Sequence, residues 1–218
     1  MFNKRLKRDC SITLTAFLII SALAIYLIPG ANAEDDVPWY CKLETPASGA
    51  AGSWAASSDV PTDDTEWGVK FSTHTISGDS ISQSAFIENK LTILNIFATW
   101  CPSCVAELPE LGRIADEYAE KGVQLIGVLQ DSVNPDTGAV DTSALADGIA
   151  LLENAGVRYP VLLPDAGLWN AFIVDLQFVP TTFFLDETGA VFKTLLGSYD
   201  AQRWVEEIES AIATLDAR

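Results

Sequence analysis

Leu91-Thr92-Ile93-Leu94-Asn95-Ile96-Phe97-Ala98-Thr99-Trp100-Cys101-Pro102-Ser103-Cys104 is the stretch on which the reading of this chain turns. Residues 91–98 form a continuous apolar run of strand length, which suits a strand buried on both faces. Directly after it, Cys101 and Cys104 make a C-x-x-C pair. Leu108, Leu111, Ala115 and Tyr118 then recur at helical spacing and Gly122 closes the pattern, so a helix is expected over residues 101–121. A dithiol between a buried strand and a helix start is placed to react. The free N–H groups and positive dipole end of the helix stabilise a thiolate and lower its pKa. The two-residue spacing lets the second sulfur attack a mixed disulfide formed at the first. Cys101, at the exposed tip, is read as the attacking thiol and Cys104, one turn in, as the resolving one. A zinc half-site would need two more ligands, and Cys10, Cys41 and His74 make a poor set. A purely structural disulfide would gain little from so short a loop.

Outward from this centre, residues 123–129 read as a second buried strand, 131–142 as a polar loop and 143–155 as a helix ending at Gly156. Residues 159–163 suit a short extended piece and 167–174 a short helix. Residues 181–185 read as a third strand, turning at Glu187-Thr188-Gly189 into residues 191–195. Asp200 caps a last amphipathic helix, with Trp204, Val205, Ile208, Ile212 and Leu215 as its buried stripe. On the other side, residues 69–76 alternate as a strand, Ser77-Gly78-Asp79 forms a turn and 80–88 is a short irregular piece. Strands alternating with helices, then a closing hairpin and helix, imply an α/β sandwich.

Lys4, Arg5, Lys7 and Arg8 open the chain, residues 11–28 run without a charge, and Ala31-Asn32-Ala33 precedes Glu34-Asp35-Asp36. A basic start, an apolar run and an A-x-A site describe a secretory signal peptide cleaved after Ala33. The run is also just long enough to cross a bilayer, so a retained membrane anchor through residues 11–28 is the alternative. Either reading places the remainder in the periplasm or on the outer face of the cytoplasmic membrane. Residues 34–65 are an acidic, Ala/Ser/Gly-rich arm or linker, and 66–218 are the folded domain. The 218-residue chain carries 13 Lys+Arg against 30 Asp+Glu, a formal net charge of −17. That surface repels phosphate backbones and excludes nucleic acid as the main partner. A single His leaves little for histidine-based metal sites or Ser/His triads.

Phe97-Ala98-Thr99-Trp100-Cys101-Pro102-Ser103-Cys104-Val105-Ala106-Glu107-Leu108-Pro109 resembles the active-site segment of the TlpA/ResA-like thioredoxins. Phe178-Val179-Pro180-Thr181-Thr182-Phe183-Phe184-Leu185 resembles their strand that starts with a cis-proline. The resemblance covers about residues 66–215 and includes the helix-plus-strand segment (143–163) typical of the group. It implies a thioredoxin-like three-layer sandwich, a central mixed sheet flanked by helices with that extra insert. It further implies an extracytoplasmic thiol–disulfide oxidoreductase that reduces protein disulfides with no bound cofactor or metal. Disulfide-bearing client proteins and a membrane thiol relay supplying electrons are the implied partners, with cytochrome c maturation a common setting.

The resemblance assigns roles residue by residue. Pro180 matches the cis-proline that faces the disulfide and holds the backbone of Val179 ready for an extended substrate segment; an ordinary trans proline at a strand start is the alternative. Glu107, three after Cys104, matches an acidic residue that takes or gives the proton of the resolving thiol; a solvated helix glutamate is the alternative. Asn95 stands where classical thioredoxins carry a buried Asp, which leaves Glu107 as the proton carrier. Trp100 is expected as a lid beside the disulfide, with ordinary packing as the alternative, and Pro109 as the helix-kinking proline. Gly197 is expected either to keep the surface beside Pro180 low or to serve as a plain turn glycine. Cys41 has no evident partner, and His74 is read as packing or surface.

Three other functions fit parts of this pattern. An oxidant that donates its disulfide would use the same residues in the opposite direction. A peroxiredoxin-like thiol peroxidase would need P-x-x-x-T-x-x-C, whereas Leu94 and Ala98 hold the Pro and Thr positions before Cys101. A non-catalytic binding module would need neither cysteine.

Overall fold

The computed structural model describes residues 69–218 of the chain. Its centre is strand β3 (Leu91–Phe97), whose seven residues are all buried. Parallel to it runs β4 (Val123–Leu129), with Leu91 opposite Val123 and Asn95 opposite Gly127. Two parallel neighbours need a crossover, and helix α1 (Pro102–Tyr118) supplies it. Helix α2 (Thr142–Ala155) leads on to the two-residue edge strand β5 (Val161–Leu162), which pairs parallel with β4. On the far side of β3, β6 (Thr181–Asp186) runs antiparallel, followed by antiparallel β7 (Val191–Leu196). The strand order is therefore β5-β4-β3-β6-β7, a mixed sheet, with helix α4 (Ala201–Asp216) closing the chain.

Alternation along β3 divides the core. Leu94 and Ile96 join Ile126, Val128 and Leu185 in one cluster, covered by Phe71, Phe86, Leu168 and Phe172. Leu91 and Ile93 face Leu111, Ile114 and Tyr118 of α1 and Trp204 and Ile208 of α4. Phe97, on the same face, packs with Leu108, Leu129, Leu145 and Leu152. Leu108, Leu111 and Ile114 are fully buried, and each such side chain contributes about 1.5–3 kcal/mol relative to exposure. Pro109 lies inside α1 and has no N–H for the Val105 carbonyl one turn back. Asp200 caps α4 as expected, accepting from the Arg203 N–H at 2.8 Å, and Asp141 caps α2 through Ser143 and Ala144.

The expected insert is present as α2 and β5. The N-terminal expectation is corrected in detail. In place of one strand over 69–76, β1 (Ser72–His74) pairs with β2 (Ser80–Ser82) as a separate antiparallel pair. The strand ends because polar side chains bond locally: Thr75 Oγ1 accepts from the Asp79 N–H, and the Gly78 N–H donates to the Thr75 carbonyl. The segment read as irregular contains β2 and then a 3-10 turn at Gln83–Phe86. Residues 167–174 make one helical turn, α3 (Ala166–Leu168), that continues as a π-helical turn at Trp169–Ile173. Among the described residues no helix is long and apolar enough to cross a membrane. The expected leader (1–33), the arm up to residue 65 and the two cysteines Cys10 and Cys41 lie outside the described residues.

Candidate active site

Cys101 is the N-cap residue of α1, and its Sγ accepts the backbone N–H of Cys104 at 3.2 Å. The two sulfurs are joined in a disulfide, with Cα atoms 5.3 Å apart. Pro102 occupies the start of the helix, where its missing N–H costs nothing. The turn that delivers the cysteines is tied down by Asp131, just past β4. Its carboxylate accepts the Thr99 N–H at 3.1 and 3.2 Å and the Thr99 hydroxyl. Sequence reading did not single out Asp131. The usable signal was its position: a polar residue directly after a strand parallel to β3 lies at the same end of the sheet as the cysteines.

The Val179–Pro180 peptide is cis, as the resemblance implies. It brings the Val179 carbonyl oxygen to 3.6 Å from Cys101 Sγ. The Pro180 carbonyl accepts the Gly197 N–H at 2.8 Å, and Thr181 Oγ1 donates to the Phe178 carbonyl at 2.8 Å. Gly197 has φ +87°, a conformation that excludes most side chains, and a Cβ there would meet nothing within 4 Å. Backbone geometry beside Pro180, rather than steric clearance, therefore explains this glycine.

One expectation about exposure is corrected. Cys101 is only 4% exposed and does not stand at an open tip, because the half-buried Val179 packs with the cluster that contains both cysteines. Trp100 is 64% exposed, which sets aside ordinary packing for its indole. Phe178 (62%) and Leu196 (57%), the neighbours of Val179 and Gly197, are equally open, so apolar side chains rim the cysteine–proline face.

Glu107 is buried, at 4% exposure, which rules out the solvated alternative. Asn95 Nδ2 donates to its Oε1 at 3.4 Å, and the Tyr199 N–H donates to Oε2 at 3.4 Å. Asn95 also donates to Thr182 Oγ1 at 3.0 Å. Burial pushes the Glu107 pKa up to about 7, against the pull of the Tyr199 N–H, the Asn95 amide and the Trp204 indole. The carboxyl thus sits one turn past Cys104 with a proton it can hold or release near neutral pH. His74 lies on β1, where its carbonyl accepts the Leu163 N–H at 3.0 Å. Among the described residues no group of His, Cys, Asp and Glu side chains is arranged to hold a metal ion.

A mixed sheet with a dithiol at the N-terminus of its crossover helix and a cis-proline against the first cysteine defines a thioredoxin-fold dithiol protein. The chain belongs to the AhpC/TSA family, whose model matches residues 68–194, and within it to the TlpA/ResA-like thioredoxins. It is 33% identical over 124 residues to the thiol:disulfide interchange protein DsbE of Allochromatium vinosum, covering 57% of this chain and 61% of the relative. The chain therefore spans less than two thirds of that relative's length. It is 30% identical over 139 residues to sporulation thiol-disulfide oxidoreductase A of Bacillus subtilis, covering 61% of this chain and 76% of the relative. A thiol:disulfide interchange protein of Chlorobium tepidum superposes with TM-score 0.55 at 24% identity, over 66% of this chain and 93% of that one, which bears on the fold alone.

Proposed function

We propose that this protein is an extracytoplasmic thiol–disulfide oxidoreductase that reduces protein disulfides through Cys101 and Cys104. The observation that carries the reading is the Cys101–Cys104 disulfide at the start of α1, with the Val179 carbonyl 3.6 Å from Cys101 Sγ. In the reduced protein the Cys104 N–H that reaches Cys101 Sγ favours the thiolate. That thiolate attacks one sulfur of a client disulfide and expels the other client sulfur as a thiolate. Cys104 gives its proton to the Glu107 carboxylate and attacks Cys101 Sγ, which releases the second client sulfur. Two electrons pass from the dithiol to the client, and solvent and Glu107 return the protons to the client thiols. Trp100, Val179 and Pro180 form the face an extended client segment would meet. Reduction regenerates the dithiol from a thiol donor, for which a membrane thiol relay is the proposed source and cytochrome c maturation the proposed setting. The basic start, apolar run and A-x-A site before Glu34 support export, with cleavage after Ala33 or retention of residues 11–28 as an anchor.

The relatives named for disulfide interchange support this reading. Leu94 and Ala98, both fully buried, offer no hydroxyl to a peroxide at Cys101, which favours disulfide exchange over peroxidase chemistry. The deciding measurement is the equilibrium potential of the Cys101/Cys104 pair in the whole chain against a thiol buffer, followed by Trp100 fluorescence. A value near about −270 mV is expected and marks a reductant; one nearer about −120 mV marks an oxidant that donates its disulfide. No reversible couple would overturn both.

A further inference from the structure

Among the described residues, Asn95 Oδ1, Tyr159 Oη and Trp204 Nε1 are buried side-chain atoms that complete no hydrogen bond. They come from β3, the segment before β5, and α4, yet one carboxyl, that of Glu107, interacts with all three residues. Asn95 already touches Glu107 through its Nδ2. The Trp204 indole pulls on the same carboxyl although its Nε1 does not complete a hydrogen bond of normal geometry, and the Glu107 charge acts on the Tyr159 phenol. Gly127 explains how a tyrosine ring enters there. It is the register partner of Asn95 on β4, and a Cβ on it would stand 3.3 Å from Tyr159 Cε2 and 3.2 Å from Phe97 Cε1. The missing side chain at 127 is filled by the Tyr159 ring, on the sheet face that α1 covers. The polar groups thus form a seam between the apolar cluster around Trp204 and the one that holds the cysteines.

Buried polar atoms left unpaired are costly, and three such atoms on residues that interact with one carboxyl call for a shared partner. Their chemistry is complementary to a single water molecule. Trp204 Nε1 and Tyr159 Oη donate to its oxygen, while its two hydrogens reach Asn95 Oδ1 and the Glu107 carboxylate. Four partners are the upper end of the roughly two to four hydrogen bonds that a buried water makes. We infer that Asn95, Tyr159 and Trp204 hold one buried water against Glu107, and that Tyr159 and Trp204 are positioning residues for the proton Glu107 exchanges with Cys104. The proton-exchange half of this inference rests on the oxidoreductase function proposed above; the hydrated site does not.

Two features fit the donor role. Burial, and then the charge of Glu107, push the Tyr159 phenol above its ordinary pKa, so it remains an O–H donor throughout the working pH range. The groups that act on Glu107 are the Tyr199 N–H, the Asn95 amide and the Trp204 indole, with the Tyr159 phenol under its charge and Cys104 one turn back on its own helix, and none of them is a lysine or arginine. Its anion therefore relies on neutral dipoles, and the water supplies the nearest replaceable one.

The test is the titration of the Glu107 carboxyl by carbon-13 NMR in the whole oxidised chain, compared with Tyr159→Phe, which removes one oxygen and keeps the ring. The variant is expected to bind the Glu107 proton about tenfold more tightly. In the wild type the Trp204 indole N–H is expected to exchange magnetisation with a long-lived water, a signal that Tyr159→Phe weakens. The pH profile of insulin reduction should move with the Glu107 titration, and Glu107→Gln should abolish the difference between the two proteins. An unmoved Glu107 titration in Tyr159→Phe, or no water contact at the Trp204 indole, would overturn the site. A Tyr159→Phe protein that loses only stability, with its pH profile unchanged, would overturn the positioning role. If the wild type reduces no disulfide while Tyr159→Phe still shifts Glu107, the hydrated site stands and the oxidoreductase function falls.

Discussion

Asn95 Nδ2 donates to Glu107 Oε1 across 3.4 Å, and so ties the central strand to the helix that carries both cysteines. The link joins a fully buried amide to a carboxyl whose proton is held to about pH 7 by burial.

Because the folded pKa of Glu107 is raised from 4.5 to about 7, folding favours its protonated form. The cost of the anion is absent below pH 4.5, grows as pH rises towards 7 and is constant above. It amounts to at most about 3 kcal/mol, the size set by the shift. Glu107→Gln is expected to flatten this dependence, so that urea midpoints at pH 5 and pH 8 lie closer together than in the wild type. A variant with the wild-type slope would place the pH-sensitive group elsewhere.

The cysteine roles are separable. Cys101→Ser is expected to lose disulfide reduction completely, since Cys104 is fully buried and no client sulfur can reach it. Cys104→Ser is expected to accumulate mixed disulfides with clients, seen as slower bands on non-reducing gels that collapse with reductant. Insulin reduction by the Cys101→Ser protein would show that the attacking thiol has been misassigned.

Asp131 holds the Thr99 turn through two contacts to the backbone N–H and one to the hydroxyl. Asp131→Ala leaves the N–H to find water, at a cost of about 1–2 kcal/mol for hydrogen bonds to a half-exposed carboxylate. The expected readouts are a lower urea midpoint and a changed Trp100 emission, the ring following the loosened turn. Unchanged values of both would show that the helix N-terminus alone positions the cysteines.

Gly127→Ala places a Cβ against Val161 Cγ2 at 3.0 Å, Phe97 Cε1 at 3.2 Å and Tyr159 Cε2 at 3.3 Å. Overpacking of this kind costs about 1–3 kcal/mol. The added methyl group should also push Tyr159 away from Glu107, so the variant is expected to shift the Glu107 titration in the same direction as Tyr159→Phe. A loss of stability without that shift would mean that Val161 or Phe97 absorbs the clash.

Local chemistry in the sequence determined much of this protein. The unbroken apolar run of residues 91–98 demanded a strand covered on both sides, and β3 lies at the centre of the sheet with every residue buried. The C-x-x-C pair at a strand-to-helix junction fell at the N-cap of α1, and Asp200 capped α4 as its position required. Such features are set by periodicity and capping within a few residues, so they are readable without a fold. β1 was overextended because Thr75, Ser77 and Asp79 bond to one another, a competition that alternation alone does not register. Glu207 escaped notice for a related reason. It looks like the polar side of α4, yet it is buried with ion-pair partners in Lys193 and Arg203, the first of which is on β7.

Only the tertiary structure decided what meets the cysteines and Glu107. Val179 reaches Cys101 from 78 residues away because β6 runs antiparallel to β3 in one particular register, and no local signal specifies that register. The Asn95 amide and the Trp204 indole meet at Glu107, and the Tyr159 ring fills the gap that Gly127 leaves on β4, a meeting of five segments. The physical reason is the same in both cases. Periodicity states which face of an element is buried, while the partners across that face depend on strand order and register, which are fixed by packing the whole sheet at once.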